Sequence, residues 1–174
     1  MDQIVVGMAD CKISEGHEQV LATYGLGSCI GLTVYDPDAR VGGMLHYMLP
    51  DSSIDAAASK TNPFKFADTG IPHLLGKVYE RGASKRRLIV RAAGAANMVQ
   101  GADIFEIGKR NYLALRRNLW KSGLLLHAEA IGGTQFRTIK LDIATGRLWL
   151  IEGAEQRELT ATPRKGASSW HIAS

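Results

Sequence analysis

Cys29 lies in the run Thr23-Tyr24-Gly25-Leu26-Gly27-Ser28-Cys29-Ile30-Gly31, with a glycine two residues away on either side. Glycine lets a backbone approach a ligand closely. A thiolate is a strong nucleophile, but a free cysteine is mostly protonated at neutral pH and needs a neighbouring base. His46 is the candidate base. The stretches 28–35 and 41–48 are apolar and flank Asp36-Pro37-Asp38-Ala39-Arg40, a type I turn signal that makes them a hairpin. A turn centred between Pro37 and Asp38 pairs residues whose numbers sum to 75, which sets Cys29 opposite His46. Their Cβ atoms would then lie about 4.5–5.5 Å apart. One residue of change in the turn removes that pairing.

An imidazole in that place takes the thiol proton and later returns it to a leaving amine. Backbone N–H groups around Gly27, Ser28 and Cys29 are the candidate oxyanion donors. Thr23, through its hydroxyl or its backbone carbonyl, is the candidate for orienting the base. The residues alone also admit a plainer reading, in which Cys29 is a small buried hydrophobe and His46 a satisfied strand residue. Cys11, His17, His73, His127 and His171 have no such placement and are read as structural. The pattern Gly27-x-Cys29-x-Gly31 is also similar to a nucleophile elbow, but the short chain and the order of the residues argue against one.

The elements that must hold these groups are legible in outline. Strands are expected at 4–13, 28–35, 41–48, 87–92, 124–131, 137–143 and 147–151, and helices at 68–81 and 106–122. Gly82 and Gly123 stand where helices end, and Pro72 is tolerable near a helix start. The Ala-rich stretch to Thr61 reads as a mobile loop, and the polar end of the chain as a frayed tail. Two helices among six or more strands make the fold class α+β, in one domain over 1–159 with a flexible tail over 160–174.

The 174 residues, 45% hydrophobic and 22% charged, suit one globular domain. No apolar run is long enough to span a membrane, and the N-terminus lacks a secretory pattern, so a cytoplasmic, uninserted protein is expected. Two cysteines make no disulfide framework, and Cys11, His17, Cys29 and His46 lack zinc spacing, so no metal or cofactor is expected. A net charge of +4 permits nucleic acid. The basic groups 85–87, 109–110, 116–117 and 164–165 are scattered, however, without the aromatic interleaving that stacks bases, and no nucleic-acid partner is expected. A basic surface equally suits an acidic protein.

The chain resembles the CheD family of chemoreceptor glutamine deamidases over about 4–151. The residues that carry the resemblance begin with Thr23-x-Gly25-Leu26-Gly27-Ser28-Cys29, Asp36-Pro37 and Gly43-Met44-Leu45-His46-x-Met48-Leu49-Pro50-Asp51-Ser52. They continue with Phe66-Ala67-Asp68, Ala96-Asn97-Met98, Ile107-Gly108-x-Arg110-Asn111, Glu129-x-x-Gly132-Gly133, Arg137 and Thr145-Gly146. The resemblance implies a nucleophile at Cys29, a base at His46 and an assisting threonine at Thr23. It implies glutamines of methyl-accepting chemotaxis receptors as substrate, a thioester intermediate, the phosphatase CheC as a partner and, in some members, hydrolysis of receptor methyl esters. It also implies a fold similar to the catalytic domain of cytotoxic necrotizing factor toxins, with packed β-sheets flanked by helices. The expected unit is a monomer.

Two loops depart from the family pattern: Gly94-Ala95-Ala96-Asn97-Met98-Val99 lacks a glycine and an aromatic, and Thr134-Gln135-Phe136 is atypical. Both are remote in sequence from Cys29, so partner contacts rather than chemistry are expected to differ. The competing expectation is a binding module for CheC or a receptor without turnover.

Overall fold

In a computed structural model that describes residues 1–98 and 106–160, two five-stranded sheets pack face to face, with helices on the outer side of one. The first sheet has the order β1 (Asp2–Val5), β3 (Gln19–Leu26), β8 (Arg137–Asp142), β9 (Leu148–Glu152) and β10 (Glu155–Glu158). The second has β2 (Asp10–Ser14), β5 (Val41–Tyr47), β4 (Ile30–Asp36), β6 (Ile89–Gly94) and β7 (Ala128–Ile131). Its outer face carries α2 (Ala67–Glu80) and α3 (Ile107–Lys121).

The apolar alternation of β4 and β5 explains the layering. Leu32, Val34, Leu45 and Tyr47 face the helices, with Ile71, Leu74 and Val78 of α2 and Leu115 and Leu119 of α3. Met44 faces the other way, into a second core with Leu21, Leu26, Ile139, Leu141 and Leu150 of the first sheet. β4 and β5 are buried throughout because both of their faces are covered. Gly43 in β5 lets α2 come close: a Cβ there would stand 2.7 Å from Leu74 Cδ1 and 3.0 Å from Val78 Cγ1. α2 ends as its sequence suggests, with Gly82 at φ +92 and the Ala83 N–H returning to the Val78 carbonyl.

The α+β class with packed sheets and flanking helices stands, and several details differ. The expected strand over 4–13 is two strands in different sheets. The chain leaves β1, crosses the sandwich edge at Val6–Ala9, where Ala9 takes φ +53, and starts β2. β3 was not anticipated, because its burial follows no two-residue period. The stretch before Thr61 is ordered, with a helix α1 (Ala56–Thr61) whose first turn is capped by the Asp55 carboxylate on the Ala58 N–H. The expected tail over 160–174 lies outside the described residues apart from Thr160.

The hairpin forms, but its register is not the expected one. Asp36 pairs with Val41 and Gly31 with His46, so opposed numbers sum to 77 and the loop has four residues. The Asp36 carboxylate accepts the Asp38 and Ala39 N–H groups, and Arg40 adopts φ +52 to close the turn. Asp36 is fully buried; burial alone would raise its pKa, but Arg87 and the N–H groups of Ala39, Ser84 and Asp38 hold it at about 2. Cys29 is therefore not opposite His46. It precedes β4 at the diagonal position, and a register offset of two residues preserves the face.

Candidate active site

Two of the three residues singled out in the sequence, Thr23 and His46, meet between the sheets, and Cys29 lies on the inter-sheet side just before Gly31, the residue that pairs with His46. Thr23 belongs to β3, His46 to β5, and Cys29 to the loop that joins β3 to β4. Thr23 Oγ1 lies 2.7 Å from His46 Nδ1, across the space between the sheets. Gly31 makes the crossing possible. A Cβ at this residue, opposite His46, would stand 3.3 Å from Thr23 Cγ2, 2.9 Å from Leu26 Cδ1 and 2.8 Å from Ile139 Cδ1. Gly25, at φ +66, sits in a bulge of β3 between Thr23 and Leu26, where the pairing with β8 shifts.

The hydrogen bonds determine the histidine tautomer. Thr23 has a single hydroxyl proton and donates it to the Val6 carbonyl at 2.7 Å. Toward His46 it offers only lone pairs, so His46 Nδ1 carries the proton and donates it to Thr23. Nε2 is then the acceptor nitrogen, and it is buried with no hydrogen-bond partner among the described residues. Burial pushes the His46 pKa down to about 4, so the ring is neutral at neutral pH. The Thr23 hydroxyl, rather than its carbonyl, is the group that orients the ring.

Cys29 is half-buried and packs against the inter-sheet core. Burial raises its thiol pKa, and its own N–H works in the opposite sense. With His46 neutral and the thiol protonated, both groups are uncharged at neutral pH.

The loop carrying Cys29 is held by its carbonyls. Ala96 N–H donates to Gly27 O at 2.8 Å, Asn111 Nδ2 to Ser28 O at 2.8 Å, and Ala95 N–H to Cys29 O at 2.9 Å. Among the described residues no acceptor takes the N–H of Gly27, Ser28 or Cys29. The segment 94–96 is thus not remote from Cys29, as its distance in sequence had suggested, but is bonded directly to its loop. Gly94, at φ +124, is so close that a Cβ would stand 2.1 Å from the Cys29 carbonyl oxygen. Gly108 of α3 packs on the carbonyls of Ala95 and Ala96, each 2.8 Å from where its Cβ would be.

Gly27 is buried, and Met98 Cγ and Phe136 Cε1 lie 3.0 and 3.1 Å from where its Cβ would be. A cleft lined by Ser28, Ala95, Asn97, Met98, Tyr112 and Gly133 opens beside the loop. Val99, named with this loop in the sequence, lies outside the described residues. After His46, the Met48 and Leu49 N–H groups donate to Lys65 O, and Asp68 accepts the N–H and hydroxyl of Ser52.

The other cysteine and the histidines read as structural lie elsewhere. Cys11 is buried opposite Leu45, its thiol pushed up to about 12 by burial, and the His127 ring accepts the Val90 N–H at 3.0 Å. His73 packs edge-on against Phe64. His171 lies outside the described residues. Asn111 and Gly94 were given no role at the sequence level. Asn111 follows Ile107 by four residues on the apolar stripe of α3, and a carboxamide on such a stripe is the signal that could have found it.

A sequence model of the CheD family, described as CheD chemotactic sensory transduction, matches residues 48–152. A Solibacter usitatus protein named probable chemoreceptor glutamine deamidase CheD is 60% identical over 169 residues, covering 97% of this chain and 100% of that protein. Probable chemoreceptor glutamine deamidase CheD 1 of Syntrophus aciditrophicus is 42% identical over 160 residues, 91% of this chain and 100% of its own. A Pyrococcus abyssi protein with the first of these names is 43% identical over 148 residues, 84% of this chain and 89% of its own. A family model over more than half the chain, and relatives matched over nearly all of their length, show that the chain belongs to the CheD family.

Proposed function

We propose that the protein deamidates glutamines of chemoreceptors through Cys29, His46 and Thr23, in the domain over 1–159. The observation that carries this reading is the buried His46 ring, fixed by Thr23 so that Nε2 is an unshared base on the face that Cys29 occupies. An orphaned buried ring nitrogen is unfavourable in a merely structural residue, and a pure binding module has no use for it. The alternative of binding without turnover is therefore not favoured. Among the described residues no helix is long and apolar enough to cross a membrane, and cytoplasmic receptor segments are the proposed substrate.

The chemistry follows from the groups. Cys29 Sγ attacks the side-chain amide carbon of glutamine while its proton passes to His46 Nε2. The carbonyl oxygen becomes an oxyanion beside backbone N–H groups of the 27–29 loop. His46 gives the proton to the departing nitrogen, ammonia leaves, and a thioester remains. Water then attacks that carbonyl with its proton taken by His46, the C–S bond breaks, the sulfur is reprotonated, and glutamate is released. CheC is the proposed regulatory partner, and the working unit is a monomer.

The test incubates the protein with a purified receptor cytoplasmic fragment and reads individual glutamines by peptide mass spectrometry. A single-dalton gain at particular glutamines, lost in Cys29→Ala, is expected. No gain with the wild type, or the same gain with Cys29→Ala, overturns the reading.

A further inference from the structure

Asn111 is fully buried in α3, yet its carboxamide serves main-chain groups on both sides of the proposed catalytic pair. Its Nδ2 donates to Ser28 O at 2.8 Å and to Met48 O at 2.9 Å. Ser28 directly precedes Cys29, and Met48 follows His46 by two residues. The Asn111 carbonyl accepts the Tyr47 hydroxyl at 2.7 Å, which ties α3 to β5 again. One residue thus joins the nucleophile loop to the strand of the base.

The consequence lies in the peptide between Ser28 and Cys29. A trans peptide directs its C=O and N–H to opposite sides. With Ser28 O held against Asn111, the Cys29 N–H points away from α3, and no acceptor among the described residues takes it. The carbonyls of Gly27 and Cys29 are held from a different segment, by Ala96 and Ala95, so this peptide cannot rotate without breaking a neighbouring bond. The Cys29 N–H stands on the same residue as the sulfur and favours its thiolate. An acyl group on that sulfur has its oxygen within reach of the same N–H.

We propose that Asn111 is a positioning residue for the deamidation, locking the Ser28–Cys29 peptide so that the Cys29 N–H donates to the oxyanion formed on the glutamine carbonyl. This rests on the cysteine-deamidase reading and narrows the oxyanion donors to one group with a stated support. Asn111 Oδ1 has no partner among the described residues, so what the site uses is the two donated hydrogen bonds.

The full-length protein and a receptor cytoplasmic fragment suffice to test it. Asn111→Asp keeps the shape and removes the donors, and Asn111→Leu removes them without adding charge. Both should lower kcat about 10- to 100-fold with KM within about twofold, as expected when a stabiliser of the transition state is misplaced. Alkylation of Cys29 by iodoacetamide passes through no oxyanion and should keep its rate, while buried Cys11 stays unlabelled and reports an intact fold. A kcat within about threefold of wild type in either folded variant overturns the proposal. So does a parallel loss of turnover and Cys29 alkylation, or labelling of Cys11 in both variants, since Asn111 would then support the loop or the fold at large. A wild type without turnover instead sinks the deamidase reading itself, whatever stands at residue 111.

Discussion

Thr23 gives its only proton to the Val6 carbonyl, and that single bond puts the free lone pair of His46 on Nε2 rather than on Nδ1. Thr23→Val keeps the shape but leaves the Nδ1 proton without an acceptor, so the tautomer preference is lost. We expect kcat to fall about 10- to 100-fold, less than the 10²–10⁴ that general base catalysis supplies as a whole. Thr23→Ser, which keeps the hydroxyl, should retain most of the activity, and steady-state kinetics of the two variants on one receptor fragment decide it. The pKa of His46 makes a second prediction. Its folded value of about 4 lies below the unfolded value near 6.5, so the unfolded chain binds the proton first as pH falls. Stability contributed by the neutral ring is complete above about pH 6.5 and declines by on the order of 3 kcal/mol as pH drops to about 4. Asp36, held at about 2, does not titrate until lower pH. The urea midpoint of the wild type should fall through that window, and that of His46→Gln should fall less.

At the scale of elements, the loop that carries Cys29 owes its shape to what lies behind it. Gly94→Ala would place a methyl 2.1 Å from the Cys29 carbonyl in a backbone conformation, φ +124, that side chains disfavour. The loop must shift, and more than about a hundredfold loss of kcat is expected with a lowered melting temperature. Wild-type kinetics in that variant would mean that the approach of β6 to Cys29 is not needed. This contact also shows where sequence reading stopped. The hairpin and both long helices were visible, because their turn residues, end glycines and apolar spacing are local signals. The register was missed by two residues because Asp36 caps its own turn and Arg40 turns left-handed, neither of which the Asp-Pro signal specifies. Parity survived that error, so Cys29 and His46 were still read on one face. β3 was missed because both its edges and its bulge break the two-residue period, although it carries Thr23. The grip of 94–96 and Asn111 on the loop is long-range and leaves no mark on sequence spacing.

Across the whole molecule, the site exists only where two sheets are held in one relative position. Thr23 comes from the first sheet, His46 from the second, and one hydrogen bond of 2.7 Å joins them. Such a bond tolerates little sliding of one sheet over the other. Arg137 is one fastening between them. It belongs to β8 of the first sheet, where Nε meets Glu152 at 2.6 Å. Its Nη1 donates to Gly94 O at 3.1 Å and to Gly132 O at 2.6 Å, both at the ends of strands in the second sheet. The guanidinium therefore fastens the first sheet to the segment that backs Cys29. Arg137→Leu keeps apolar bulk but leaves the Gly132 carbonyl and Glu152 without a donor, while Gly94 O keeps only the Gly132 N–H, and about 2–4 kcal/mol of destabilisation is expected. The more informative reading is activity well below the unfolding transition. If Arg137 holds the sheets in register, kcat falls about 10- to 100-fold, as for Thr23→Val, in a variant that circular dichroism shows to be folded. A folded Arg137→Leu with wild-type kcat would mean that the cores alone align Thr23 with His46.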